Sequence, residues 1–285
     1  MPCNFNDALF IFVPKGTEDD DETGIIRSPS ATRPLGLKNT DVKCISGATH
    51  FLIRHSIAKF AARQQNGFVH GRNFINNVVD LDTRARCLAM NDLLPMPIML
   101  FTDFGAAFPS VIHEWLFLVL EMEGFPPGLR NLIVGIHSQV TAYGLAGSMV
   151  LPLFFIFSGV IQGCPLASDC FLFAFNPFLV MLGKLLDLRE LGITRACADD
   201  LGFALSDILH LKIVATILKL ARQLAGLSIK LKKCTLVPLG RWSDDLCSFV
   251  LAWIVDHLPE WIGMDVAPFS KYLGFFLGPL IGDLM

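Results

Sequence analysis

Short apolar runs alternate along the chain with stretches whose apolar residues recur every three or four positions, and each change of rhythm marks an element. Leu9 to Val13 is a strand-like run, and "TRPLGLKNTDVKCISGATHFLIRHSIAKFAARQQ", beginning at Thr32, takes on helical spacing in its later half. "NDLLPMP", Asn91 to Pro97, reads as a connector because its two prolines interrupt any regular element. Beyond it, "IMLFTD" (Ile98 to Asp103) suits a buried strand, and "HEWLFLVLEMEG" predicts a helix that stops at Gly124, ahead of Pro126 and Pro127. "SGVIQGCP", Ser158 to Pro165, is a glycine-bearing loop feeding a second apolar helix. "RACA" and "LGFAL" form the arms of a tight hairpin whose turn holds Asp199 and Asp200. Leu209 to Leu224 is helical up to Gly226, and "LSIKLKKCTLV" follows as a strand. This order predicts an α+β fold, a sheet with helices on one face. No repeat period is present.

Composition first raises a membrane question. Hydrophobic residues make up 53% of the chain and the mean hydropathy is +0.53. The two most apolar runs, Met149 to Ile161 and Cys170 to Gly183, are each shorter than the roughly 20 residues of a spanning helix. Each also carries a proline, Pro152 or Pro177, so both are expected in a core. The N-terminus has no basic segment of the signal-peptide kind, and the eight cysteines show neither C-x-x-C nor zinc-finger spacing. Reduced thiols and a nuclear or cytoplasmic location, not a secreted one, are the expectation. Net charge is −3, but the acidic run Glu18 to Glu22, expected as a solvated loop, outweighs it and leaves +2 on the remainder.

Chemistry enters with Asp103, at the end of a buried strand, and the Asp199–Asp200 doublet in the hairpin turn. Carboxylates in apolar surroundings need a partner, because removing an ionised carboxylate from water is costly. Were strand and hairpin neighbours, three acids would converge and repel unless divalent cations neutralised them. An all-oxygen donor set without His or Cys favours Mg²⁺ over zinc. Two such ions support phosphoryl displacement, so the implied reaction is nucleotidyl transfer.

With these residues in view, the chain resembles the reverse transcriptase domain of non-LTR, LINE-type retrotransposons, from "IFVPKG" to "KYLGFFLGP". "FTDFGAAFPSV" is similar to the family's first metal block, "SGVIQGCPLAS" to its template and nucleotide loop, and "CADD" to its second metal block. "AGLSIKLKKC" is similar to the segment that follows, and "KYLGFFLG" to the primer-grip hairpin. "TRPLGLKNTDVK" and "QQNGFVHGRNFINNV" are similar to the fingers blocks. The resemblance implies a right-hand polymerase, with residues 1–97 a fingers-like region and 98–285 a palm, an antiparallel sheet backed by helices. It implies a template-directed RNA-directed DNA polymerase with an RNA template, a DNA primer and deoxynucleoside triphosphates as partners, and two Mg²⁺ ions, or Mn²⁺ in their place.

Residue by residue, the resemblance makes Asp103 and Asp199 the principal metal ligands, with Asp200 a third carboxylate. Phe108 would exclude a ribose 2′-hydroxyl, and Gln162 and Gly163 would lie against the nascent base pair, glycine allowing close backbone approach. Lys15 and Arg33 would meet the triphosphate, and Lys233, with Lys232 as competitor, would give a proton to pyrophosphate. Arg72 would contact template phosphate, while Tyr272 and Gly274 would shape the primer grip. Cys197 departs from the family's usual aromatic residue two places before the doublet, and Lys230 from a small polar one. The sequence stops at Met285, just past the grip, so a core without thumb helices, endonuclease or zinc knuckle is expected. The rival readings are an inactive remnant that at most binds nucleic acid, and a membrane protein.

Overall fold

A computed structural model of the chain describes residues 5–16, 27–28 and 31–279; the acidic run Glu18 to Glu22 lies outside them. The first elements are β1 (Ala8–Pro14), β2 (Thr32–Lys38), α1 (Thr40–Phe60), α2 (Ile75–Ala89), β3 (Ile98–Thr102) and α3 (Ala107–Ser110). Then come α4 (His113–Met122), α5 (Pro127–His137), β4 (Val140–Ala146), β5 (Met149–Ile156) and α6 (Ala167–Leu182). The hairpin strands are β6 (Gly192–Cys197) and β7 (Asp200–Leu205), followed by α7 (Leu211–Ala225), β8 (Thr235–Pro238) and α8 (Asp244–His257). β9 (Asp265–Val266), β10 (Ser270–Tyr272) and β11 (Phe275–Leu277) complete the order. The chain divides into two compact units, residues 1–53 with 108–171 and residues 54–107 with 172–285. A linear cut at 97/98 falls inside the second unit.

The first unit holds a four-stranded sheet in the order β2-β1-β4-β5, with β1 parallel to β4 and the other pairs antiparallel. Ala8, Val140 and Ile161 form its small core, with Phe10 and Ile156 packed against them. Buried Lys38 donates to the carbonyls of Ile136 (2.9 Å) and Asn6 (3.1 Å), a cation on the C-terminal end of α5, where the helix dipole favours one. The run from Met149 was expected in a core; instead β5 is an edge strand, exposed at every position but its last. An edge strand has one neighbour only, and its side chains have no second strand to shelter them.

The second unit is built on a five-stranded sheet, β6-β7-β3-β8-β9, antiparallel except for the β8–β9 pair. All five residues of β3 are buried, so both faces of the sheet are covered there, not one as expected. Val78, Leu81, Ala85 and Leu88 of α2, spaced for one helix face, pack with Met99, Phe101, Ala204 and Val237 of the sheet and with Tyr272 and Leu277 of the β10–β11 hairpin. α7 buries a similar stripe and ends at Gly226, whose φ of 77° serves the left-handed cap. The expected strand from Leu227 is regular only in β8; Leu231–Lys233 makes a 3₁₀ turn instead. The helical stretch Ala167–Asp187 is 21 residues, longer than the apolar run suggested and long enough by length and composition to cross a membrane. Since an apolar 18-residue portion of it is 72% buried within the protein, it has the character of a core helix.

Candidate active site

Strand register, rather than sequence proximity, assembles the acids. β3 and β7 pair antiparallel with Thr102 opposite Leu201, so one further step sets Asp103 across from Asp200. Paired backbones lie roughly 5 Å apart, and side chains at matched positions share a face. Cys197 pairs with Asp200, which leaves Ala198 and Asp199 as the two-residue turn and makes Asp200 the first residue of β7. Of these two, only Ala198 has a positive φ, 57°. That is the sign pattern of a II′ turn, whose first position usually holds glycine. An alanine there costs roughly 1–2 kcal/mol.

The electrostatics carry the mark of this crowding. Burial, with Asp103 adding to it, pushes the Asp199 carboxyl above the usual carboxylate range, against its own backbone N–H and Lys233. Burial first, then Asp199 and Asp103, push Asp200 up to about 6. Burial, then Asp200 and Asp199, raise the Cys197 thiol to about 11, so this substitution supplies no thiolate. Lys233 is the countercharge: its Nζ donates to Asp103 Oδ2 at 2.5 Å. Its approach is set by the backbone, since Phe104 bridges Ile229, Lys230 N–H donates to the Asp103 carbonyl, and the 3₁₀ turn swings Lys233 back. Among the described residues, no three His, Cys, Asp or Glu side chains are grouped closely enough to hold a metal ion as they stand. The donor set nonetheless fits a hard divalent cation: three mutually repelling carboxylates, offset by one lysine.

Reasoning from the sequence missed the groups that hold this turn. Gln64 to Asn66 run parallel beside β6, with Ala196 N–H donating to the Gln64 carbonyl and Asn66 N–H to the Ala196 carbonyl, both at 2.8 Å. Where that ladder ends, the buried Gln65 side chain continues it. Its Oε1 accepts from Ala198 N–H (2.8 Å) and Gly67 N–H (2.9 Å), and its Nε2 donates to the Ala198 carbonyl (3.1 Å). Asn77, fully buried on α2, donates to the Ala196 carbonyl at 2.9 Å and accepts from Asn66 at 2.6 Å. The signal available was the cluster of amides in "QQNG" beside apolar helical positions.

Tyr272 and Gly274 belong to the expected hairpin, with Leu273 and Gly274, both at positive φ, as its turn. Tyr272 is buried against Phe101, its ring 5.3 Å away, and its hydroxyl donates at 3.4 Å to the Asp200 carbonyl. Arg72 departs from its expected part. Its guanidinium donates to the carbonyls of Ala58, Ala61, Ala62 and Gln65 at 2.5–2.9 Å, closing the end of α1, so its terminal nitrogens face the protein's own backbone.

The other expected residues belong to the first unit. Phe108 stacks on Phe171, with ring centroids 4.9 Å apart, and its carbonyl accepts from Val160 N–H. Gln162 accepts from Gly36 N–H through its carbonyl, and Gly163, at φ 110°, sits where a Cβ would come within 2.7 Å of the Gly36 carbonyl oxygen. Gly163 thus permits a close approach to β2 of the protein itself. Arg33 is exposed on β2 opposite Val13, and Lys15 N–H donates to the Ala31 carbonyl.

Comparison with known proteins agrees with this geometry. Residues 13–276 match the family described as reverse transcriptase (RNA-dependent DNA polymerase). The "Transposon TX1 uncharacterized 149 kDa protein" of Xenopus laevis is 27% identical over 224 residues, 74% of this chain and 16% of the relative's length, in accord with the LINE-type resemblance. Two solved structures share the fold. Apo telomerase from Candida tropicalis, truncated from the C-terminal domain, has a TM-score of 0.62 at 14% identity, over 96% of this chain and 53% of that one. Telomerase from Candida albicans with the TWJ fragment of telomeric RNA has a TM-score of 0.59 at 12% identity, over 98% and 45%. The chain spans about half the length of these structures and a smaller share of the transposon protein. With the family matched across almost its whole length and the paired-strand aspartates in place, the chain belongs to the reverse transcriptase (RNA-dependent DNA polymerase) family.

Proposed function

We propose that this chain is the core of an RNA-directed DNA polymerase, adding deoxynucleotides to a DNA primer 3′ hydroxyl on an RNA template, in the nucleus or cytoplasm. The observation that carries the reading is the β3–β7 register, which brings Asp103 against the Asp199–Asp200 turn. Asp103, Asp199 and Asp200 would hold two Mg²⁺ ions, or Mn²⁺. When bound, such ions activate the attacking hydroxyl and stabilise the departing oxygen. Lys233, which pairs with Asp103, is assigned the proton given to the departing pyrophosphate. Tyr272 and Gly274 belong to the hairpin that steadies the primer end. Lys15 and Arg33 are assigned to the triphosphate, Gln162 and Gly163 to the nascent base pair, and Phe108 to rejecting ribose. RNA as template accords with the telomerase relative solved with telomeric RNA.

Primer extension on an RNA template with Mg²⁺ tests the proposal. Asp199→Asn is expected to lower incorporation at least about a thousandfold. Wild-type incorporation by a folded Asp199→Asn chain would reject the assignment, and absence of extension by the wild-type chain would favour an inactive remnant.

A further inference from the structure

Ala198 stands in a conformation its side chain disfavours, directly before Asp199, and one buried amide contacts both of its peptide groups. Gln65 is 1% exposed, comes from a segment more than a hundred residues away in sequence, and offers Ala198 both an acceptor and a donor, as a neighbouring strand would. Gly67 closes the arrangement from outside: a Cβ there would meet Ala198 N at 2.3 Å and the Cys197 carbonyl carbon at 2.7 Å. Asn77 fixes the preceding residue pair through the Ala196 carbonyl. A two-residue turn with an alanine at the glycine position would otherwise relax, and the direction in which Asp199 and Asp200 leave it would change.

We propose that Gln65 is a positioning residue of this turn, its amide holding Ala198 at positive φ, with Gly67 leaving room for it, so that Asp199 and Asp200 stay aimed at a shared divalent cation. The inference rests on the reading of these aspartates as metal ligands. The Gln65 amide bonds the peptide groups of Ala198 and Gly67, and it acts through the former.

The test uses the 285-residue chain, with Mn²⁺ alone as probe, read by electron paramagnetic resonance, beside steady-state extension and amide exchange at Ala198. Gln65→Met, close in size but unable to bond, is expected to weaken Mn²⁺ binding about tenfold and to lower kcat about 10–100-fold, leaving the nucleotide KM within about twofold. Adding Ala198→Gly, which removes the steric objection to positive φ, is expected to recover a substantial part of both losses. Gly67→Ala, which presses on the same turn while keeping Gln65, is expected to reproduce them and stands in should Gln65→Met not fold. Unchanged Mn²⁺ affinity and kcat in a folded variant would overturn the proposal, as would a loss that Ala198→Gly leaves untouched. If the wild-type chain binds no Mn²⁺, the metal reading itself fails. The clamp is then judged by exchange alone: the Ala198 amide loses its protection in the variant if Gln65 holds it, and protection retained overturns the clamp.

Discussion

At the scale of single residues, the same side chain serves different ends depending on what its polar atoms meet. Asp103, Asp199 and Asp200 were legible in the sequence because ionisable residues interrupt strand-like apolar runs, where an unpaired carboxylate is unfavourable. Arg72 was not, since an arginine in a loop between two helices has the same letter whether it faces phosphate or helix-end carbonyls. The structure gives it four carbonyl partners, which separates the two roles experimentally. Arg72→Ala is expected to lower stability by roughly 1–3 kcal/mol in urea melts. The slope of log affinity against log salt for nucleic acid should stay unchanged, whereas a lost phosphate contact would reduce it by about one. A shallower slope with intact stability would restore the template contact.

At the scale of elements, turns and helix ends decide where strands can pair. Gly124 follows α4 at φ 71° with nothing within 4 Å of an added Cβ, so Gly124→Ala should cost only the left-handed penalty, about 1–2 kcal/mol. Gly159, at φ 90°, would drive a Cβ to 2.5 Å from the Pro109 carbonyl oxygen. Gly159→Ala should therefore cost at least about 2 kcal/mol more, because backbone cannot yield as a flexible side chain can. Equal losses in denaturant melts would deny the close packing at Gly159. The end of α5 carries a pH dependence. His137, buried, donates through Nδ1 to the Ile133 carbonyl of its own helix, and burial lowers its pKa to about 3. An unfolded chain takes up a proton on this side chain below about pH 6.5, while the folded one resists until about 3. The stability His137 contributes is thus complete above pH 6.5 and lost as pH falls towards 3. His137→Gln is expected to flatten the decline in melting temperature between pH 6.5 and 4, and parallel declines in both proteins would contradict it.

At the scale of the whole molecule, the exposed apolar surface of the first unit is the main liability. β5 offers an unpaired edge with Phe154, Phe155 and the adjoining Phe157 at 53%, 64% and 79% exposure. Edges of that kind pair with other chains, and a lysine on them opposes pairing. Phe155→Lys is expected to reduce concentration-dependent light scattering of the purified chain while leaving its melting temperature close to wild type; undiminished scattering would place self-association elsewhere. Read by itself, the sequence determined the strand–helix order of the second unit, the acids of the aspartate site and the family, since periodicity and the placement of charge among apolar neighbours are local properties. Only the tertiary structure decided that Gln65 grips Ala198, that Lys233 and not Lys232 pairs with Asp103, that Arg72 closes a helix, and that the Met149 run lies outside a core. Each of these depends on a backbone group or strand neighbour supplied from far along the chain, and backbone groups are the same for nearly every residue, so nothing in the letters announces them.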